Sequence, residues 1–552
     1  MTKALARVTA LKNEYRSLVY ILLVLTLIYF PFADKAFTVD DTLFLKAAEQ
    51  ILVDPLDFYG GEANWFGEPS TQYIVNENPP LVSYLSAAVA SVFGFNEFAL
   101  HTFFFLVLVL STIGIYRLGR QFGCNPVSTT LIAILTPVFL VHGTNVMSDS
   151  TLLMFWIWGL VFWLNGIKTD SPKWFFLAGL SVTLGILTKY TCVFLLPLMI
   201  VSGVWQYRKP GWWLVAIFIP LIAMLGYEYY THTLYGIGLF FKAFIYASEE
   251  SPGELVDYFD HTLIGLAFLG GCFPVALLLG PLSGGRLFKQ FTFIFTAGVL
   301  ALTFYQGGIG EHSFVSDDGT NFSLIIQFWV FSLAGFCLVM ACIKELSNGL
   351  DHDSVFLLLW FFGIFVFASY LNWTINARSF ILLVPAVGIL LSRRLEQWGV
   401  GGGKFKTIIA GSMIGFAGLV AVAAVYADYV WSNMARTAAR EITARFDDPR
   451  RLFFQGHWGF QFYMEKAGAL PMDFESVDYK KGELVVVPKN NTSVRGLPPV
   501  FVYVGQVKYS HNSIVATMSP AGSSGFYSSI LGPIPYIFEK PRDEIYLFYQ
   551  RR

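Results

Sequence analysis

Apolar residues in this chain occur in long runs separated by short polar connections, a pattern typical of membrane-spanning helices. Most runs approach about 20 residues, the length at which a helix crosses the hydrocarbon core of a bilayer. The pattern predicts a polytopic α-helical membrane protein with about thirteen transmembrane helices. The predicted spans are 17–33, 97–116, 126–142, 149–166, 174–188, 191–205, 213–230, 259–282, 290–305, 323–343, 354–371, 379–392 and 405–426.

The first apolar run follows basic residues, as a signal peptide would, but no small-residue cleavage signature ends it. Because further spans follow, it is predicted to be a retained helix. Composition agrees with a membrane protein, since 55% of the 552 residues are hydrophobic and 14% are charged, against roughly 25% charged in soluble domains. The net charge of -1 offers no electrostatic case for binding nucleic acid.

The five cysteines fall within or beside the apolar runs and lack the spacing of a zinc site. They are interpreted as small apolar packing residues, and the fold is not expected to depend on disulfides. The cysteines are Cys124, Cys192, Cys272, Cys337 and Cys342.

If each predicted span crosses the membrane once, successive connections alternate between its two sides. The charged residues of the connections then divide into two groups, one for each side. The basic connections fall on one side, which is therefore predicted to be cytoplasmic together with the N-terminus. Their basic residues are Lys3, Arg7, Lys12, Arg16, Arg117, Arg120, Lys168, Lys173, Arg208, Lys209, Arg286, Lys289, Lys344, Arg393, Arg394, Lys404 and Lys406.

The opposite side receives acidic and longer connections. The first of these is unusually long, and long loops between helices are often functional, so function is expected on this outer face. Its acids are Asp40, Asp41, Glu49, Asp54, Asp57, Glu62, Glu68 and Glu77; the connection with Glu249, Glu250, Glu254 and Asp257 and the loop 311–321 lie on the same side. The odd number of spans places the C-terminus outside as well.

The chain is accordingly divided into a transmembrane catalytic domain, 1–431, with a first outer loop at 34–96, and an extracytoplasmic soluble domain, 432–552. In this tail, apolar runs near 482–488, 500–504 and 545–549 predict strands, and 462–467 predicts a helix. The alternation indicates a small α/β domain. His457 beside Trp458 is interpreted as a packed or turn-forming pair rather than a catalytic one.

Two adjacent carboxylates, Asp40 and Asp41, directly precede a helical pattern just outside the first span. Aspartate is favoured at helix starts, so capping explains one of them. Adjacent side chains point in different directions, which leaves one available to a cavity. A sugar transfer with inversion requires such a carboxylate to accept the proton of the acceptor hydroxyl or amine.

Three more ionisable residues are predicted near the same membrane face. Asp149 opens the fourth span, with helix capping as the alternative reading. Lys189 separates the fifth and sixth spans, with an extension of its side chain to the lipid headgroups as the alternative. Arg378 is an outer cation that opposes the positive-inside trend, and arginine suits bidentate binding of phosphate.

At these residues the chain resembles the protein O-mannosyltransferase and lipid A aminoarabinose transferase group, glycosyltransferase family 39 in the broad sense. The resemblance covers most of the chain, and its motifs occur in the order and on the membrane side expected for the family. They are the Asp40-Asp41 pair, 78–84 (Asn-Pro-Pro-Leu-Val-Ser-Tyr), 93–99, 116–120, 148–150 (Ser-Asp-Ser), 187–189 (Leu-Thr-Lys), 378–385 and 456–461 (Gly-His-Trp-Gly-Phe-Gln).

The resemblance implies the type C glycosyltransferase fold, with an active site formed by the first outer loop and neighbouring spans. It implies a polyprenyl-phosphate sugar as donor and an extracytoplasmic acceptor (protein, lipid or glycan). It further implies Asp40 as the base, Asp41 and Asp149 as further acidic site residues, and Lys189 and Arg378 around the donor phosphate. A bacterial inner membrane is the expected location, because the sequence has no lumenal glycoprotein features beyond chance sequons such as that at 490–492.

Two departures from the family pattern are visible. Asp41 stands where glutamate is usual, and Asn78 stands where aminoarabinose transferases carry a phosphate-binding lysine. Asn78 can donate hydrogen bonds to a phosphate but brings no charge, which argues against aminoarabinose as the sugar. Asp40, Asp41 and Asp149 also have the ligand type of a divalent metal ion, although this branch of the family is not expected to need one.

Two other functions compete with the transferase. A transporter or flippase of lipid-linked sugars would have ionisable or broken spans in two matching halves, and no clear repeat is visible. The other is a non-catalytic envelope assembly protein, in which Asp40 only caps a helix.

Overall fold

The computed structural model describes residues 2–249, 258–283, 285–316, 319–347, 349–399, 403–475, 479–519 and 523–552. Of the predicted acidic connection, Glu250, Glu254 and Asp257 lie outside these described residues. The α-helices are α1 (Thr2–Tyr29), α2 (Asp41–Val53), α3 (Gln72–Val75), α4 (Leu81–Phe93), α5 (Glu97–Gln121), α6 (Pro126–Ile134), α7 (Pro137–Gly143), α8 (Ser148–Thr169), α9 (Pro172–Ile186), α10 (Leu195–Tyr207), α11 (Val215–Tyr235), α12 (Leu239–Glu249), α13 (Tyr258–Cys272), α14 (Val275–Leu279), α15 (Arg286–Gln306), α16 (Phe322–Leu346), α17 (His352–Val366), α18 (Ala377–Phe380), α19 (Val384–Gly399), α20 (Gly403–Thr443) and α21 (Trp458–Lys466).

The protein is an integral membrane protein with several spanning helices. Among the described residues, nine helices are long and apolar enough to cross a bilayer, or ten if the bent pair α6 and α7 counts as one span. The other three predicted spans coincide with the shorter helices α9, α13 and α19. Each of these helices has fewer than about 20 residues, the length of a full span, which an apolar run in the sequence does not reveal.

Close helix contacts in the bundle depend on small residues. A Cβ atom at Gly270 of α13 would lie 1.8 Å from the Phe331 carbonyl oxygen, and one at Gly335 of α16 would lie 2.1 Å from the Leu266 carbonyl oxygen. Glycine at both positions lets the two backbones touch, the usual solution for helices packed in lipid.

Short strands and one tail sheet complete the fold. The tail sheet has five strands in the order β10-β13-β9-β7-β8, of which β10, β13 and β9 are antiparallel and β9, β7 and β8 are parallel. The strands are β1 (Glu62–Asn64), β2 (Pro69–Thr71), β3 (Gly308–Ile309), β4 (His312–Ser313), β5 (Val315–Ser316), β6 (Gly319–Thr320), β7 (Leu452–Phe454), β8 (Leu470–Pro471), β9 (Leu484–Pro488), β10 (Phe501–Tyr509), β11 (Met518–Ser519), β12 (Ser524–Gly525) and β13 (Glu544–Arg551).

The predicted α/β character of the tail is confirmed, since α21 connects the parallel strands β7 and β8 and the predicted strands coincide with β9, β10 and β13. Helix α20 continues without a break through the predicted domain boundary at 431/432. The transition from membrane to tail therefore lies inside one helix.

The first outer loop packs between the bundle and the tail. Helix α2 buries its apolar face against α4 and also contacts α21. The contact with the tail is close, because a Cβ atom at Gly459 would lie 2.4 Å from the Phe37 carbonyl oxygen. The Tyr463 hydroxyl accepts the Phe37 N–H at 2.9 Å. The tail thus fixes the backbone that leads into Asp40.

Candidate active site

Arg378 connects two predicted site carboxylates that are far apart in sequence. Its Nη1 donates to Asp40 Oδ2, and its Nε donates to Asp149 Oδ2 at 3.0 Å. The other oxygen of Asp149 accepts a hydrogen bond from Lys189 Nζ at 2.8 Å. The structure therefore brings four of the predicted site residues into one cluster of two cations and two carboxylates.

Each member of this cluster lies at the end of a helix. Asp149 is in the first turn of α8, where a carboxylate is favoured by the helix dipole. Lys189 is the extended residue between α9 and the 3-10 turn Tyr190–Phe194. Arg378 lies in the short α18, whose N-cap Asn376 accepts the Ser379 N–H at 2.9 Å. These helix ends meet at one face of the bundle.

Asp40 and Asp41 have different environments. Asp40 is the N-cap of α2 but makes no side-chain cap bond, and its side chain is 26% exposed. Asp41 is fully buried, and its carboxylate accepts the N–H groups of Thr38 at 3.0 Å and Val146 at 2.8 Å. The capping alternative therefore does not describe Asp40, whose carboxylate instead faces Arg378.

Burial also changes the protonation of Asp41. Loss of water contact raises the pKa of this carboxyl to about 7, although Lys35 and the two N–H donors act in the opposite direction. Asp41 is a structural acceptor that ties the first loop to the start of α8, and Asp40 is the carboxylate that remains accessible.

The residue before Asp40 has a strained backbone. Val39 adopts a φ of 46°, in the left-handed region that β-branched residues rarely occupy. Such conformations persist where the surrounding structure imposes them, and they cluster at functional sites. Here the bond from Thr38 N–H to Asp41 holds the turn that presents Asp40 to Arg378.

Asn78 precedes a backbone contact with the segment that carries Lys189. The Leu81 N–H donates to the Leu187 carbonyl at 3.1 Å, which joins the Asn78 loop to the turn of Lys189. The Asn78 backbone N–H donates to Asn76 Oδ1 at 3.1 Å, and the Asn78 carbonyl accepts from the Tyr59 hydroxyl at 2.6 Å. A role of its side chain toward phosphate stays a prediction.

A second charged network, absent from the sequence-based site, lies behind the first loop. Lys35 donates to Asp428 and Asn145, and all three side chains are buried. Tyr527 of the tail donates to Asp428 at 2.9 Å and accepts from Asn145 Nδ2 at 2.8 Å. The acidic Asp428 next to the last apolar run was a signal for such a network, but its partners are too distant in sequence to identify.

His457 is a packed residue, as the sequence predicted. Its ring stacks on Trp65 with centroids 4.5 Å apart, and its backbone N–H donates to Asn491 Oδ1 at 2.8 Å. Burial lowers its pKa to about 4, so the imidazole is neutral at neutral pH.

The carboxylates of the site do not form a binding site for a divalent metal ion. Among the described residues, no group of three or more His, Cys, Asp or Glu side chains is arranged to hold one. The carboxylate oxygens of Asp149 are engaged by Lys189 and Arg378, and those of Asp41 by backbone N–H groups.

An apolar groove opens beside the cluster, between α9, α11 and the turn that follows Lys189. Its walls include aromatic and aliphatic side chains, and two of the lining residues, Leu187 and Tyr190, flank Lys189 in the sequence. The lining residues are Thr183, Ile186, Leu187, Tyr190, Pro220, Ala223, Met224, Tyr227 and Phe240.

Known proteins share both a sequence segment and the overall architecture with this chain. Residues 77–230 match the family model described as dolichyl-phosphate-mannose-protein mannosyltransferase. ArnT from Cupriavidus metallidurans, in a crystal structure bound to undecaprenyl phosphate, superposes with a TM-score of 0.50 at 15% identity, over 85% of this chain and 93% of ArnT. The chain has the type C glycosyltransferase fold. The family resemblance inferred from the sequence, and with it the glycosyltransferase class, is confirmed.

More distant structures are also similar. The archaeal oligosaccharyltransferase AglB from Archaeoglobus fulgidus, in complex with an inhibitory peptide and a dolichol-phosphate, has a TM-score of 0.48 at 12% identity, over 83% of this chain and 64% of AglB. The S. cerevisiae Pmt1-Pmt2 protein O-mannosyltransferase complex bound to its sugar donor has a TM-score of 0.32 at 15% identity, over 41% and 34%. No curated protein matches the chain by sequence.

Proposed function

We propose that this glycosyltransferase transfers a sugar from a polyprenyl-phosphate donor to a hydroxyl or amine of an extracytoplasmic acceptor, with inversion at the anomeric carbon. The observation that carries the proposal is the position of Arg378, which contacts both the accessible carboxylate Asp40 and the buried Asp149. Arg378 thus lies beside the candidate base Asp40 and is itself a cation that can bind the donor phosphate.

Donor binding follows from the groove and the two cations. The polyprenyl chain occupies the apolar groove, and its phosphate lies beyond the groove at Lys189 and Arg378. Arg378 uses Nε and Nη1 toward the carboxylates, so Nη2 remains to donate to phosphate oxygens; Lys189 has donors beyond its bond to Asp149. ArnT was solved with undecaprenyl phosphate, and a lipid of that class matches these features.

The transfer is a single displacement. Asp40 accepts the proton of the acceptor nucleophile while the nucleophile attacks the anomeric carbon from the face opposite the phosphate. The bond between the anomeric carbon and the phosphate oxygen breaks, and polyprenyl phosphate leaves with the electron pair. Arg378 and Lys189 stabilise the charge on the leaving phosphate. Asp149 acts through these cations, because it holds both in place.

The test is turnover in proteoliposomes with a panel of radiolabelled polyprenyl-phosphate sugars. We expect one donor to be consumed, and Asp40→Asn to lower its turnover by about 10²-fold or more, the scale of a lost general base. Glu62→Gln, an exposed acid of the same outer loop, is the matched control and should leave turnover unchanged. Unchanged turnover in folded Asp40→Asn would remove Asp40 from the mechanism.

The proposed location is a bacterial inner membrane with the active site on the outer face. The proposed orientation is based on the basic inner connections and the acidic first loop. Labelling of single cysteines placed in loop 34–80, with a reagent that does not cross membranes, tests it. Labelling only after permeabilisation would reverse the orientation.

A further inference from the structure

One segment of the tail leaves the tail sheet and packs into the membrane bundle. Between β10 and β13 the chain crosses to α13 and α16, where the Tyr536 hydroxyl donates to the Gly271 carbonyl at 3.0 Å. The Phe538 N–H donates to Gln327 Oε1 at 2.6 Å. Residues 526–529 of this returning segment, here called the tail clamp, reach the cluster around Arg378.

The tail clamp pairs with the backbone that directly precedes Arg378. The Ala377 N–H donates to the Phe526 carbonyl at 3.0 Å, and the Ser529 N–H donates to the Ile375 carbonyl at 2.7 Å. The Thr374 hydroxyl lies 3.0 Å from the Ser528 hydroxyl. Two reciprocal backbone bonds therefore hold residues 374–377, and α18 with Arg378 begins where they end.

The side chain of Tyr527 extends the same clamp to the other two segments that carry site residues. Its hydroxyl bonds to Asn145, four residues before Asp149, and to Asp428, the partner of Lys35. Lys35 precedes Asp40 by five positions in the sequence. One buried tyrosine thus contacts the supports of the first loop and of α8, while its own backbone lies beside the support of Arg378.

We propose that the tail clamp positions the active site, with Tyr527 as its principal positioning residue. The Arg378 guanidinium must contact two carboxylates that come from separate elements, and small displacements of such groups are costly in catalysis and binding. The tail therefore completes the site rather than only covering it. What Arg378 binds rests on the proposed function; the positioning itself does not.

Hydrogen exchange measured on the full-length protein in nanodiscs tests the positioning directly. Tyr527→Phe removes only the hydroxyl. Ser529→Pro removes the N–H that bonds to Ile375 at a position where proline is compatible, since Ser529 begins a 3-10 turn after the extended Ser528. In both variants we expect the amides of 374–380 to exchange about tenfold faster.

Tyr536→Phe is the matched control, because it removes a similar tyrosine bond in the same segment but away from Arg378. It should leave exchange at 374–380 within about twofold of wild type. Unchanged exchange in Tyr527→Phe and Ser529→Pro, or an equal increase in all three variants, would overturn the positioning role.

Binding of undecaprenyl phosphate provides the second readout. We expect Tyr527→Phe and Ser529→Pro to weaken it about tenfold, and Tyr536→Phe to leave it unchanged. If wild type fails to bind this lipid while exchange responds as expected, the proposed donor class is wrong and the positioning role stands. If binding is normal in both clamp variants, the clamp does not position Arg378 for phosphate.

Discussion

Arg378 and Lys189 occupy different oxygens of the same buried carboxylate, Asp149, from helix ends that are 189 residues apart in sequence. Asp149 is 1% exposed, whereas the Arg378 and Lys189 side chains are 12% and 21% exposed. The carboxylate is thus an internal anchor, and the cations extend from it toward the site. This arrangement makes Asp149 the residue on which the geometry of both cations depends.

Replacement of Asp149 by asparagine should destabilise the protein. The change leaves two poorly hydrated cations next to each other, and loss of one partner of a buried ion pair costs about 3 kcal/mol. Chemical unfolding in detergent measures it. Asp353→Asn is the control, since Asp353 is 42% exposed and surface pairs contribute less than about 1 kcal/mol. Equal effects of both variants would contradict the anchor role.

The stability of the protein should depend on Asp41 as pH changes. Its folded pKa of about 7 is above the unfolded value of about 3.9. A raised carboxyl pKa means that its stabilising contribution is complete below the unfolded pKa and is lost as pH rises through the folded one.

Thermal unfolding of wild type and Asp41→Asn between pH 4 and pH 7 tests this. Wild type should lose stability relative to the variant across this range, by up to about 4 kcal/mol. A difference that stays constant with pH would show that Asp41 does not titrate there.

Addition of a methyl group at Gly459 should disturb the contact between tail and first loop. The new Cβ would lie 2.4 Å from the Phe37 carbonyl oxygen, a backbone atom that cannot rotate away. We expect Gly459→Ala to cost about 1–3 kcal/mol of unfolding free energy and to reduce transferase turnover. Gly411→Ala, on the open side of α20 with nothing within 4 Å, is the control and should be neutral or slightly stabilising.

A bulky side chain in the apolar groove should discriminate between long and short lipids. Met224→Trp fills part of the groove that the polyprenyl chain is proposed to occupy. Loss of burial for one or two methylenes, at about 0.8 kcal/mol each, predicts about fivefold to tenfold weaker binding of undecaprenyl phosphate. Ile222→Trp, on the exposed face of α11, is the control.

Geranyl phosphate provides the second arm of that measurement. Its short chain should bind Met224→Trp as well as it binds wild type, because its phosphate contacts are unchanged. Equal weakening for both lipids would mean that the substitution acts on the phosphate site rather than on the groove.

The sequence alone was sufficient for the membrane character of the chain, the tail strands, and four residues that meet in the site. Apolar run length reports burial in lipid directly. Arg378 was recognisable as an outer cation against the positive-inside trend, and Asp40, Asp149 and Lys189 as ionisable residues predicted near the same membrane face.

Only the tertiary structure decided what each of these residues does. It separated Asp40 from the adjacent Asp41, since one carboxylate meets Arg378 and the other meets backbone N–H groups. It also showed that Tyr527 of the tail joins Asn145 and Asp428 inside the bundle. These contacts connect residues up to hundreds of positions apart, and local patterning carries no information on such pairs.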